Sequence, residues 1–186
     1  MGHGGDVIAE LTTDHREVEE LFGKIAALPS GNEQRRKYAD QAVTELVRHS
    51  IAEEVYLYPA VREVLPDGDA IAGKELEDHA EAERTMKALE GVEASDAEFD
   101  RLIGELMTEI RSHVRDEEEN LFPRLRSAAS ADELMKLGDK VRQAKKIAPT
   151  RPHPSAPDTP PANKLLAPGV GMVDRIRKVL TGPGWD

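Results

Sequence analysis

The chain has 186 residues, with 25 Lys and Arg against 36 Asp and Glu, for a formal net charge of −11. That length suits one sizeable domain with an appendage rather than two full cores, and so acidic a chain disfavours nucleic acid as the main partner, because phosphate binding needs clustered cations. Aromatic residues make up 4% and charged residues 33%, which fits a helical protein with wide solvated faces better than a β-sandwich. With no cysteine, disulfides, thiolate metal sites and thiol catalysis are all removed. No stretch approaches the roughly 18 apolar residues of a membrane span. The opening MGHGGDVIAELTTDH has neither a basic start nor an apolar run, so no signal peptide is expected. The expectation is a soluble cytoplasmic protein.

The apolar period is helical from the start. Val7, Leu11, Val18, Leu21, Phe22, Ile25 and Leu28 form a stripe at spacings of three and four, ended by Pro29-Ser30-Gly31. A second pattern runs from about Glu33 towards Val64 and stops near Leu65-Pro66-Asp67-Gly68. The third covers about Ala70 to Leu89 and meets Gly91, which suits a helix C-terminus. Ser95 with Glu98 reads as a capping box opening a fourth helix through Ile103, Met107, Ile110 and Leu121. Ser130 with Glu133 opens a short fifth helix to about Ile147. Four long helices with short connections predict an all-α, antiparallel up-down-up-down four-helix bundle.

Eight of the 12 prolines fall in the last 38 residues, where PTRPHPSAPDTPPANK cannot sustain a helix or a central strand. Charge divides at the same place, net −13 before residue 149 and +2 after it. The chain is therefore read as a folded domain over 1–148 and an extended tail over 149–186. Within the tail, GVGMVDRIRKVLTG predicts a short amphipathic basic helix that docks on its own acidic bundle or on a partner.

The chemistry lies in a repeat. His15 and His49 are 34 residues apart, as are His79 and His113, so the chain repeats with a period of 64. Glu53 maps onto Glu117, Glu54 onto Glu118 and Pro59 onto Pro123. HSIAEEVYLYP and HVRDEEENLFP align in register. Such a duplicated hairpin brings one histidine per helix to a common layer. H-x3-E places a carboxylate about 40° round and one turn along from each histidine, at Glu19, Glu53, Glu83 and Glu117. Four uncompensated histidines would make an expensive core, since each buried nitrogen needs a partner. Imidazoles with carboxylates suit iron, manganese or zinc, and two bridging carboxylates particularly suit an iron pair. Candidate metal ligands are His15, His49, Glu53, His79, Glu83, His113 and Glu117, with Glu19 weaker. Glu54 and Glu118 turn a further 100° away, towards solvent or salt bridges. His3 and His153, in irregular segments, are not expected to be ligands. Tyr58, nine residues after His49, falls opposite it on an ideal wheel unless Pro59 distorts the backbone. It is expected as a packed aromatic with its hydroxyl at the bundle edge.

DHREVEELF, HSIAEEVYLYPAV, DHAEAERTMKAL and HVRDEEENLFPRL together resemble the hemerythrin-like HHE cation-binding family over about residues 6–126. The resemblance implies a four-helix bundle around a non-haem di-iron centre. It also implies ligands at His15, His49, Glu53, His79, His113 and Glu117, the two glutamates bridging, and in some members a tyrosine near the position of Tyr58 approaches the iron. Oxygen-carrying members place two histidines on the third helix, where this chain has only His79, followed by Ala82 and Glu83. Either Glu83 replaces that imidazole or the position is left to water; a carboxylate there favours the ferric state and argues against reversible oxygen carriage. It suits iron handling, or reactive oxygen and nitrogen chemistry. The family's iron-centre repair proteins carry a cysteine-containing segment that this chain lacks.

The leading expectation is a monomeric protein with two iron ions that binds oxygen, nitric oxide or peroxide, or senses or buffers iron. A peroxidase- or catalase-like enzyme and a metal-free helical adaptor are the alternatives, so enzymatic activity is left open.

Overall fold

The computed structural model describes residues 3–151; the basic helix expected in the tail, and His153, lie outside them. Seven α-helices occur among the described residues: α1 Val7–Ala26, α2 Glu33–Ala52, α3 Tyr58–Val64, α4 Gly68–Leu89, α5 Ala97–Asp116, α6 Phe122–Ala128 and α7 Ala131–Ile147. Single π-helical turns, Glu53–Leu57 and Glu117–Leu121, join α2 to α3 and α5 to α6. Residues 33–64 and 97–128 are thus two continuous rods. With α1 and α4 they make the four long elements of the bundle, and α7 packs along α1 and α2.

The helix starts follow local chemistry. The Asp6 and Asn32 side chains accept from Ala9 N–H and Gln34 N–H. Ser130 and Glu133 form the expected capping box of α7. The fourth rod starts differently from the sequence reading: Asp96, not Ser95, is the cap, and its carboxylate accepts from Glu98 N–H. Two capping-competent residues stand side by side there, and the more anionic one takes the position, where the helix dipole favours it.

The π turns have a covalent cause. Pro59 and Pro123 have no N–H to give to the carbonyl four residues back. The turn before each widens, so that Tyr58 N–H reaches Glu53 O and Phe122 N–H reaches Glu117 O. The wide turn absorbs one residue. Tyr58 then sits at about eight ordinary steps from His49, roughly 80° round the helix instead of opposite it.

Two apolar clusters fill the bundle, one around Phe22, Leu46, Phe99 and Leu106, the other around Leu11, Leu57, Leu121 and Val141. The four repeat histidines and Glu53 and Glu117 lie in the layer between them. Helix α7 belongs to the second cluster through Leu134, Val141 and Ala144. It approaches the start of α1 so closely that a Cβ on Gly138 would meet Gly5 O at 2.8 Å and Val7 N at 2.9 Å. Backbone atoms at that distance cannot move aside cheaply. Gly138→Val is expected to cost about 1–3 kcal/mol, as overpacking typically does, and to lower the urea midpoint. An unchanged midpoint would mean that α7 is not seated there.

Candidate metal centre

The histidines converge in two pairs. His15 Nε2 lies 3.3 Å from His49 Nε2, and His79 Nε2 lies 3.2 Å from His113 Nε2. The two glutamates that open the π turns sit between the pairs with no exposed surface. His49 Nε2 is 3.1 Å from Glu53 Oε1, and His79 Nε2 is 3.3 Å from Glu53 Oε2. On the other side, Glu117 Oε2 is 3.4 Å from His15 Nε2 and 3.7 Å from His113 Nε2. Each glutamate therefore spans both pairs. Their oxygens are close to these nitrogens but badly angled, and both Glu53 oxygens and Glu117 Oε2 lack a hydrogen-bond partner. Buried carboxylate oxygens left unpartnered, facing ring nitrogens too near one another for two N–H groups, are what a cation-binding site requires. The donor set of imidazoles and carboxylates fits a metal cation.

Acids hold three of the other ring nitrogens and stand beside the fourth. His15 Nδ1 is 2.8 Å from Glu118, His49 Nδ1 is 3.1 Å from Asp14, and His79 Nδ1 is 3.0 Å from Glu54. His113 Nδ1 has Glu75 Oε2 at 2.9 Å and Asp78 at 3.8 Å but makes a hydrogen bond to neither. A carboxylate behind the ring directs Nε2 inward and strengthens it as a ligand. Glu54 and Glu118 are thus not simply solvent-facing residues. Each reaches across from one hairpin to a histidine of the other, a long-range contact that the helical wheel of one hairpin does not contain. Glu118 also pairs with Arg16 at 2.5 Å, so the salt-bridge part of that expectation holds for it.

Tyr58 departs most from the sequence reading. It is 1% exposed, and its hydroxyl lies 3.1 Å from His79 Nε2 and 3.3 Å from Glu117 Oε1. The π turn is the reason. Burial and the surrounding Glu53 and Glu117 push its hydroxyl pKa well up. Its repeat counterpart, Phe122, stacks on His15 with ring centroids 5.9 Å apart.

The remaining candidates are placed as follows. Glu83 is half-buried and is not part of the ligand clusters around the four histidines. Glu19 is half-exposed and paired with Arg111 at 2.7 Å. His3 is not among the converging histidines; it is bonded to Glu10 at 2.8 Å and Glu17 at 3.0 Å and lies 3.8 Å from Asp14. Glu75 was missed in the sequence. It stands one turn before His79, is 1% exposed, and clusters with His113 and Glu117. The signal was E-x3-H, the reverse of the H-x3-E spacing that marks Glu53 and Glu117.

Beside the rings is a cavity of about 20 Å³ walled by Val18, Leu46, Ile110 and Val114. A surface groove of about 360 Å³ between α1 and α5 shares Val18, Ile110, Val114 and His15 with it.

Protons and metal compete for this layer. Burial alone would lower the pKa of each ring, yet Glu53 and Asp14 raise His49 to about 10, Glu53 and Glu54 raise His79 to about 10, and Glu117 with Asp78 and Glu75 raises His113 to about 10. Burial would likewise raise Glu53, but His49 and His79 hold it well below the usual carboxylate range. A histidine with a raised folded pKa stabilises the fold fully below its unfolded value and loses that contribution as pH climbs through the folded one. The metal-free fold should therefore weaken between pH about 7 and about 10. A divalent metal must displace these protons, so its stabilising effect should grow over the same window. Melting curves with and without metal at about pH 6 and pH 9 check this. A smaller metal-induced rise at the higher pH would contradict it.

Comparison with known proteins agrees with the geometry. An uncharacterized hemerythrin-like protein of Schizosaccharomyces pombe is 27% identical over 168 residues, covering 90% of this chain and 82% of that one. A DNA nickase of Nostoc is 31% identical over 137 residues; the match covers 73% of this chain but 38% of that protein. The crystal structure of a hemerythrin HHE cation-binding domain-containing protein from Mycobacterium kansasii superposes with a TM-score of 0.66 at 20% identity, covering 76% of this chain and 85% of that one, and so shows the shared fold. Among the described residues no helix is long and apolar enough to cross a membrane. The hemerythrin HHE cation-binding domain matches residues 6–125, and the chain belongs to that family.

Proposed function

We propose that this is a non-haem di-iron protein that binds oxygen, nitric oxide or peroxide, or senses and buffers iron. One observation carries the reading: two pairs of imidazole nitrogens converge on two buried glutamates whose facing oxygens have no other partner. His15 and His49 would hold one ion and His79 and His113 the other, with Glu53 and Glu117 shared. Shared anions offset the repulsion of two cations held close together, which favours a pair over a single ion. Iron bound there supplies redox-active Lewis acidity towards oxygen species.

The chain's own residues supply selection and proton handling. The cavity beside the rings has room for about one water-sized molecule, and its aliphatic walls disfavour larger polar ligands. That size supports a diatomic molecule or peroxide. Glu75 is the third-helix carboxylate nearest the centre, and burial raises its pKa, so it holds a proton more readily than an exposed acid. With the Tyr58 hydroxyl it favours a second reading, a peroxide-processing enzyme in which these two groups hold and deliver protons. The unpartnered glutamate oxygens weigh against a metal-free adaptor. The nicking activity named for the Nostoc relative is not carried over, since this chain covers little of that protein and is strongly acidic.

Metal analysis of protein reconstituted anaerobically with iron(II) is expected to give two iron ions per chain. Glu53→Ala or Glu117→Ala should remove at least one, and Glu19→Ala none. Glu75→Gln and Tyr58→Phe should retain iron and, in the second reading, slow peroxide consumption by about 10²-fold or more, the usual scale for losing a general acid. A chain that stays colourless and iron-free would sink the proposal.

A further inference from the structure

We propose that Lys145, on the helix that follows the bundle, is a positioning residue for the metal centre: it clamps Asp14, and Asp14 fixes the ring of His49. The inference rests on the reading of the histidine layer as a metal site. It adds an element beyond residues 6–125, the span that the family match covers.

The chain of contacts is short and buried. Lys145 Nζ donates to Asp14 Oδ1 at 2.5 Å and to Glu10 Oε1 at 2.7 Å. The other Asp14 oxygen accepts from His49 Nδ1 at 3.1 Å. Asp14 is 5% exposed and Glu10 1%. Two carboxylates so deeply placed need a cation beside them.

The internal repeat shows why α7 must supply it. In the second hairpin Lys74 bonds Asp78 at 2.8 Å and Asp116 at 2.7 Å, and Asp78 stands 3.8 Å from His113. That hairpin carries its own lysine. With the 64-residue offset, Lys74 corresponds to Glu10 and Asp78 to Asp14. The first hairpin thus has an acid where the second has a cation, and its aspartate lacks an equivalent partner from within the repeat. Lys145 takes that place from outside, with Arg142 3.4 Å from Glu10. The reach depends on α7 lying against α1, which Gly138 permits.

If Lys145 loosens, Asp14 is freed to turn towards water and His49 loses the acceptor that aims its Nε2 inward. Docking of α7 and metal binding are then linked, and the linkage is reciprocal.

The test uses full-length protein, freed of metal and titrated anaerobically with iron(II) against a competing chelator. Lys145→Met is expected to weaken iron binding about tenfold, the lower end of the cost of losing an outer partner of a metal-bound histidine. Lys145→Arg, which keeps the cation, should recover most of that loss. Asp14→Asn should lose at least as much, and adding Lys145→Met to it should cost little more, because the lysine acts through the aspartate. Iron should also slow amide hydrogen exchange in α7 of the parent, and much less so in Lys145→Met. Parental affinity in Lys145→Met, losses that simply add to those of Asp14→Asn, or no rescue by arginine would each overturn the inference. If the parent itself binds no iron, the di-iron reading falls instead, a result separable from failure of the clamp. Should Lys145→Met fail to fold, Lys145→Gln and the arginine variant compared by the same titration decide the matter.

Discussion

Two glutamates with no exposed surface, set between two apolar clusters, are the constraint on which the rest of the molecule depends. An ionised carboxylate in such a place is tolerable only beside cations. The fold meets that demand in shells of alternating sign. Glu53 and Glu117 face four imidazoles; the imidazoles are backed by Glu118, Asp14, Glu54 and Glu75. Behind those acids stand Arg16, Lys145 and Lys74. A small part of the chain's acidity is therefore internal architecture, and a few of its Lys and Arg residues neutralise it near the centre.

The duplication built a nearly symmetric centre, and its departures from symmetry give the two halves different chemistry. Tyr58 replaces a position that is Phe122 in the second copy. Glu75 stands where the first copy has Leu11, and Lys74 where it has Glu10. The first two differences put a hydroxyl and a carboxyl beside the His79–His113 pair. The corresponding positions near His15 and His49 are apolar, and Phe122 stacks directly on His15. The third leaves the first hairpin short of a cation and dependent on α7. A symmetric pair of histidine sets thus sits in an asymmetric frame.

Most of the fold was legible because it is local. Apolar spacing with Gly and Pro punctuation marks the rods, the Ser130–Glu133 pair marks α7, and the H-x3-E-E repeat picks out four histidines and two glutamates that do converge. What was not legible depends on contacts between distant segments. Glu54 and Glu118 look outward on their own helices, yet each finds a histidine of the other hairpin. Tyr58 points inward only because of a backbone irregularity. Glu75 lies on the N-terminal side of its histidine, whereas Glu53 and Glu117 lie on the C-terminal side, and Glu83, at the matching spacing, sits outside the histidine clusters. Lys145 carries no motif, since only the docking of α7 gives it meaning.

The π turns connect that backbone irregularity to the chemistry. A proline four residues after a carbonyl would ordinarily end or kink a helix. Here each rod continues, because the turn widens by one residue directly at Glu53 or Glu117. Before the turn, the histidine and glutamate keep ordinary helical spacing, so both face the centre. After it, the register has shifted by about 100°, which moves Tyr58 and Phe122 against the rings they touch. A straight α-helix can present a histidine and a glutamate four residues on to the centre, but the residue nine on would then face away. The wide turn lets a single rod contribute all three, and the proline that forces it also fixes which residue comes third.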